Sequence, residues 1–377
     1  MRMSTPPDFL FGILRTRGKT LVLAAGLMGL TVLGCDATED PVDPAKNDDG
    51  STFCNVPDSD LVPILGPDQI PALTDPTFVQ PDDPGAAPWA DDSRVIGLFL
   101  DGAPLAVPLG IMRHHEIVNL NRGDLHVAVT YCPLTGSALT FDRSSVEGAE
   151  LGVSGILMRN NLLMFDRGSE PRSLFGQMTQ HAVCGPLARR RHPLPIIASW
   201  EMRWDAWRAL HPDTRVISFN TGFARSYDVN PNLEYKELDN PDRLLPVPLD
   251  PRRPPKERVL GIPIGRDGGP AFPFEAMKGH RRLVMTLFHQ SRPAVVFWDR
   301  EAEAATAFYT EVDGRELTFE VGLDGYRDVD TNSTWRLDGL AVTGDLAGRR
   351  LEPIEEAYVA FWFAWADFHP ETVVRTP

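Results

Sequence analysis

The stretch Val127-Ala-Val-Thr-Tyr-Cys-Pro-Leu-Thr-Gly-Ser-Ala-Leu-Thr-Phe-Asp-Arg143 reads as a strand, a tight turn carrying Cys132, and a second strand. The block His114-His115-Glu116, followed by Asn119, lies just upstream. Chemistry is expected here, because a thiol, two imidazoles, a carboxylate and an amide fall close together in the chain.

Outward from the turn, Arg94 to Leu100 reads as a strand entering an Asp101-Gly102 hairpin. Leu109 to Asn119 suggests one or two helical turns, with His115 and Asn119 four apart on one face. Leu151 to Leu157 and Leu162 to Phe165 read as strands separated by Asn160-Asn161. Ser199 to Leu210 is predicted as a helix with Trp200, Trp204 and Trp207 in one apolar stripe, a core-packing pattern. Thr214 to Phe219 returns as a strand. The Pro-rich, charged segment 228–255 reads as a connector over the surface.

Beyond that connector the first half is echoed in order. Arg94-Val-Ile-Gly-Leu matches Arg258-Val-Leu-Gly-Ile, Ala138-Leu-Thr-Phe-Asp-Arg143 matches Val295-Val-Phe-Trp-Asp-Arg300, and Val146-Glu-Gly-Ala-Glu-Leu matches Val312-Asp-Gly-Arg-Glu-Leu. Trp204 to Trp207 matches Trp362 to Trp365, and His211-Pro-Asp-Thr matches His369-Pro-Glu-Thr. The expected fold is therefore a β-rich α+β protein of two diverged internal repeats related by a pseudo-two-fold. The first unit spans 61–227, the connector 228–255 and a second, degenerate unit 256–377. Shared features are assigned to the scaffold. Cys132 and the histidine block have no convincing counterpart in the second unit and are the functional candidates.

The chain has 377 residues, 42% of them hydrophobic, enough for one or two packed cores. A net charge of −15 gives a nucleic-acid partner no electrostatic footprint. With 31 Gly and 34 Pro, turns and sheets are favoured over a helical bundle.

Residues 1–34 read as a lipoprotein signal peptide. Arg15, Arg17 and Lys19 form the basic region, and the apolar run Thr20 to Leu33 is too short to span a bilayer comfortably. It ends in Val32-Leu-Gly-Cys35, which resembles a bacterial lipobox, so Cys35 is expected to carry lipid after cleavage. The predicted location is the cell envelope, outside the cytoplasm, with the membrane as a partner through that lipid. Cleavage would remove Arg2, Arg15, Arg17, Lys19 and Asp8, taking the net charge from −15 to −18. Residues 35–60 form an acidic, Pro-containing stretch expected to act as a flexible stalk. Of the four cysteines, Cys54, Cys132 and Cys184 would remain unlipidated. Any one of three pairings could form in an oxidising compartment, leaving one thiol.

Several long motifs, Arg113-His-His-Glu-Ile-Val-Asn119, Val129-Thr-Tyr-Cys-Pro-Leu-Thr-Gly-Ser-Ala138, Gly152-Val-Ser-Gly155 and Asn161-Leu-Leu-Met-Phe-Asp-Arg167, together with Trp204 to Thr214, resemble the bacterial DUF3179 family over about residues 61–377. The resemblance implies no settled activity. Some relatives carry a second cysteine or a selenocysteine in the turn, which implies a redox thiol. This chain departs from them with Thr135, and again with Leu120 after Asn119, where relatives tend to have Asp.

Two function classes follow. In the first, Cys132 is a reactive thiol with His115 as acid–base group and Asn119 and Arg143 in support. The N–H groups of Leu134, Thr135 and Gly136 and the Thr135 hydroxyl would stabilise the thiolate. A variant of this class uses His114, His115, Glu116 and Cys132 to bind copper or zinc, metals suited to imidazole and thiolate. In the second class the protein is a non-catalytic envelope binding or scaffold protein, and Cys132 is a packed core residue. No dinucleotide fingerprint, phosphate-binding loop or Gly-x-Ser-x-Gly elbow is present.

Overall fold

A computed structural model describes residues 53–86, 89–230 and 233–377. The signal peptide, Cys35 and the stalk up to residue 52 lie outside the described residues. Among the described residues no helix is long and apolar enough to cross a membrane.

The molecule is strand-rich with a few short helices, as expected for a β-rich α+β fold. The Cys132 turn joins two strands of an antiparallel meander, Ile117–Arg122, Leu125–Cys132 and Ser137–Asp142, with Cys132 paired to Ser137. Gly136 takes φ +60°, and an added Cβ would lie 2.9 Å from the Phe361 ring. The turn therefore requires glycine both for its backbone and for the approach of the C-terminal half. The Phe361 N–H closes that approach by donating to the Thr135 carbonyl at 2.8 Å.

Two four-strand sets share one pairing pattern. Ser199–Arg203, Arg94–Leu100, Ala103–Pro108 and Arg215–Ile217 join through two antiparallel pairings and one parallel pairing. Tyr358–Phe361, Arg258–Gly261, Gly268–Pro273 and Glu371–Val374 do the same. In each set a tryptophan lies over a glycine. A Cβ on Gly97 would meet the Trp207 ring at 2.3 Å, and one on Gly261 would meet Trp365 at 2.1 Å. Each indole N–H donates to a threonine hydroxyl, Thr214 at 2.8 Å and Thr372 at 2.7 Å.

One proposed match changes register. Ser137–Asp142 is the last strand of its meander, whereas Arg292–Asp299 is the middle strand of Arg282–His289, Arg292–Asp299 and Ala304–Tyr309. By position the counterpart of Cys132 is Asp299, whose carboxylate accepts from Arg282 at 2.9 Å and from the Glu301 N–H at 2.8 Å. The recurring Asp residues also cap the following turns. Asp142 accepts from the Ser144 N–H, and Asp166 accepts from the N–H groups of Ser169 and Ser173.

Ser199–Leu210 is not one helix. Ser199–Arg203 is a strand paired with Arg94–Leu100, and the helix is Trp204–Leu210. The i, i+4 spacing of Trp200 and Trp204 suits same-face strand positions as well as a helix, and pairing to the sheet decides between them. The expected His115–Asn119 helical face is also broken. The helix Leu109–His115 ends at Glu116, whose φ of 56° turns the chain into the next strand.

The cores cross the middle of the chain in both directions. Phe141, Leu163 and Phe175 pack with Trp362 and Trp365, while Trp204, Trp207 and Met202 pack with Phe297, Phe308 and Trp335. Between the halves, Arg94 donates to the Glu303 carbonyl at 3.0 Å, and Arg258 Nη1 lies 3.5 Å from Glu201 Oε1.

Candidate functional site

Cys132 ends its strand with only 1% of its surface exposed, its thiol 3.6 Å from the Asn160 carbonyl. Burial pushes the thiol up to about 11, and the nearby Glu116 carboxylate adds to the rise. The Thr135 hydroxyl and the N–H groups of Thr135 and Leu134 act the other way as donors to the sulfur. The donors expected from the Cys-Pro-Leu-Thr spacing are therefore present, but desolvation outweighs them. Cys54 and Cys184 form a disulfide, which leaves Cys132 as the free thiol among the described residues.

A fully buried polar network supports the turn from behind. The Asn161 amide donates to Thr135 Oγ1 at 3.0 Å and to Gln177 Oε1 at 2.8 Å, Ser137 donates to Gln177 at 2.6 Å, and Gln177 donates to Thr130 Oγ1 at 2.9 Å. Each member is satisfied, so the network fixes the turn on the neighbouring sheet instead of destabilising the core.

His115 does not serve Cys132. Its Nδ1 lies 2.7 Å from the Pro71 carbonyl and its Nε2 2.7 Å from the Tyr227 hydroxyl. Burial depresses it to about 4, so near neutral pH it is an uncharged packing group. Asn119 bridges backbone, accepting from the Leu151 N–H at 3.0 Å and donating to its carbonyl at 2.9 Å. Arg143, fully buried, donates to the Gly148 and Leu120 carbonyls and to Asn121 Oδ1. Both residues hold the scaffold and do not face the sulfur.

The copper or zinc set is not assembled. Among the described residues no group of three His, Cys, Asp or Glu side chains is placed to hold a metal ion. Both ring nitrogens of His115 are taken up elsewhere, and His114 sits edge-on to the Tyr227 ring at 5.4 Å.

Glu116 is the titratable neighbour that does act on Cys132. Burial pushes its carboxyl up to about 8. Its place at a helix end, after two histidines, pointed to a ligand; nothing in the local pattern marks an acid–base partner for the thiol.

Two further residues come from the presumed surface connector. The Tyr235 hydroxyl donates to the Leu134 carbonyl at 2.8 Å, and the Lys236 amine donates to the Tyr131 hydroxyl at 3.3 Å. Burial lowers Lys236 to about 8, with the Arg113 charge assisting. Lys256 is buried over the Tyr235 ring at 3.6 Å and donates to the Asp242 carbonyl at 2.6 Å. This segment is thus a strap packed on the cysteine turn. Only the isolated aromatic Tyr235 within a polar run hinted at it.

The strap, the buried thiol turn and the doubled strand sets define a β-rich protein with one candidate centre in its N-terminal half. The chain belongs to the DUF3179 family, described as a protein of unknown function, whose model matches residues 67–372. No curated protein and no solved structure matches it.

Proposed function

We propose that this chain is a lipid-anchored envelope protein in which Cys132 performs thiol–disulfide exchange, with Glu116 as the adjacent acid–base group. The observation that carries this reading is a thiol with no disulfide partner at the end of its strand, beside a turn whose Leu134 and Thr135 N–H groups and Thr135 hydroxyl act against the rise that burial causes. Such donors favour a thiolate once the site is opened to solvent.

In the exchange, at a pH above about 8 where Glu116 is ionised, its carboxylate takes the Cys132 proton. The thiolate attacks one sulfur of an external disulfide, the mixed disulfide forms, and the leaving thiolate takes the proton from Glu116. With Thr135 in the turn, a second external thiol resolves the mixed disulfide, freeing Cys132 as the thiol and carrying off the other half of the original disulfide.

The second reading, a non-catalytic binding or scaffold protein, is favoured by the 1% exposure of Cys132 and its rise to about 11. Alkylation of the full chain with its disulfide intact separates the two. The exchange reading expects Cys132 to label slowly in the wild type and at least about tenfold faster in Tyr235→Ala, which releases the strap. A folded Tyr235→Ala protein whose Cys132 stays unlabelled leaves the scaffold reading. The anchor is tested separately: Cys35→Ser should move the protein from membranes to the soluble fraction.

A further inference from the structure

We infer that the C-terminal half carries a strand-docking groove for an extended peptide segment of a partner protein. The inference rests on a difference between the two four-strand sets and between the two meanders beside them, and it is independent of the chemistry of Cys132.

In the N-terminal half, one short piece of chain finishes two sheets. Phe78–Val79 pairs antiparallel with Arg215–Ile217, and Leu73–Thr74 pairs parallel with Ile117–Arg122. Between them, the Asp75 carboxylate accepts from the Asn121 N–H at 2.7 Å and from its side-chain amide at 2.9 Å.

No further strand among the described residues pairs with the corresponding edges of the C-terminal half. Among the described residues one sheet ends at Glu371–Val374, and the second meander ends at Arg282–His289. An open groove of about 650 Å3 lies there, lined by Ile264, Gly268, Thr286, Phe288, Val373 and Arg375 among others. Phe288 is 70% exposed and Val373 58% exposed. Phe288 is the second-last residue of its strand, the place held by Asn121 in the first meander. An apolar side chain thus stands where the first half has an amide bonded to its own covering segment.

The backbone of the edge is also set for pairing. The N–H groups of Glu371 and Arg375 donate inward, to Asp267 and Ala271. Alternation along a strand then turns Thr372 and Val374 outward. Thr372 is occupied, its N–H by His369 and its carbonyl by Arg252. Val374 is left as the outward residue, in the place where Val216 pairs with Val79.

Charge sets the occupant's chemistry. Glu371, Val373 and Arg375 share one exposed face. An antiparallel peptide matches it with an acidic residue opposite Arg375, an apolar one opposite Val373 and a basic one opposite Glu371. The Val374 N–H and carbonyl supply the main-chain bonds, and the exposed Phe288 and these three side chains supply the remaining contact and the selectivity.

The test uses the full chain and a labelled peptide containing Asp-Thr-Val-Thr-Lys, read by fluorescence anisotropy. A charge-reversed peptide, Lys-Thr-Val-Thr-Asp, is the control. Saturable binding of the first peptide is expected, weakened about tenfold or more by Val374→Pro, which removes only the outward donor, and by Phe288→Ser. Phe288→Ser carries the test if the proline variant melts early. Equal binding of the two peptides, or affinity unchanged in Phe288→Ser, overturns the proposal. So does a concentration-dependent dimer of the unliganded chain that Phe288→Ser disrupts, since the groove would then belong to a second copy.

Discussion

The His115 imidazole and the Tyr227 hydroxyl meet at 2.7 Å in the core, and the same hydroxyl contacts Thr221 Oγ1. This bond joins the helix before the cysteine turn to the start of the strap. The imidazole is therefore a neutral rivet, and its protonation costs stability.

Acid sensitivity follows from that state. His115, His211 and His369 are each lowered from 6.5 to about 4. Below 6.5 the unfolded chain takes up protons that the folded chain refuses, so stability is full above 6.5 and declines as the pH falls to about 4. Each histidine contributes a slope of roughly 1.4 kcal/mol per pH unit in that window. Melting temperature against pH should drop steeply there, and His115→Gln should flatten the slope while lowering stability near neutral pH.

Glu116 has the opposite sign. Its carboxyl is raised from 4.5 to about 8, so through that interval the unfolded chain gives up a proton that the folded chain keeps, and stability falls as pH rises. Glu116→Gln should raise the melting temperature at pH 8 and above and change little below 4.5, the range being set by the same shift. In the exchange reading the variant also slows Cys132 alkylation below its wild-type rate. A stabilised protein with unchanged alkylation would remove Glu116 from the proposed mechanism.

Asn119 should be costly to lose. Asn119→Leu strands the N–H and carbonyl of Leu151, both buried, with a penalty of roughly 2–4 kcal/mol for two unsatisfied groups. Chemical denaturation measures it. A loss below about 0.5 kcal/mol would show that water or a backbone shift replaces the amide.

The paired glycines make a sharper prediction. Gly97→Ala and Gly261→Ala each drive a methyl into an indole ring and should cost about 1–3 kcal/mol by overpacking. Near-equal losses, read from urea midpoints, are expected because the two ring contacts are alike.

The motifs made the two strands flanking the cysteine turn legible, along with the Asp101-Gly102 turn and the family, since local pattern and final structure agree there. The strand Ile117–Arg122 reads in part as helix from the sequence. The division of Ser199–Leu210 was not legible, because the four-residue spacing of Trp200 and Trp204 satisfies both periods until a partner strand is known. Cys132 could be named as the centre because proline and glycine mark its turn. Its surroundings were hidden: His115 is drawn off by Tyr227, more than a hundred positions away, and Tyr235 approaches from a stretch without periodicity. Contacts of that range leave no trace in spacing.

The crossing cores also dictate an order of events during synthesis. The helix Trp362–Phe368 fills the space under Phe141 and Phe175, so the N-terminal half cannot bury its own apolar surface when it emerges first. It must wait, exposed, for nearly the last residues to arrive. Late stop codons and short C-terminal deletions should therefore yield aggregates rather than a stable half-molecule, and a chaperone that shields the waiting half becomes part of how this chain reaches its native state.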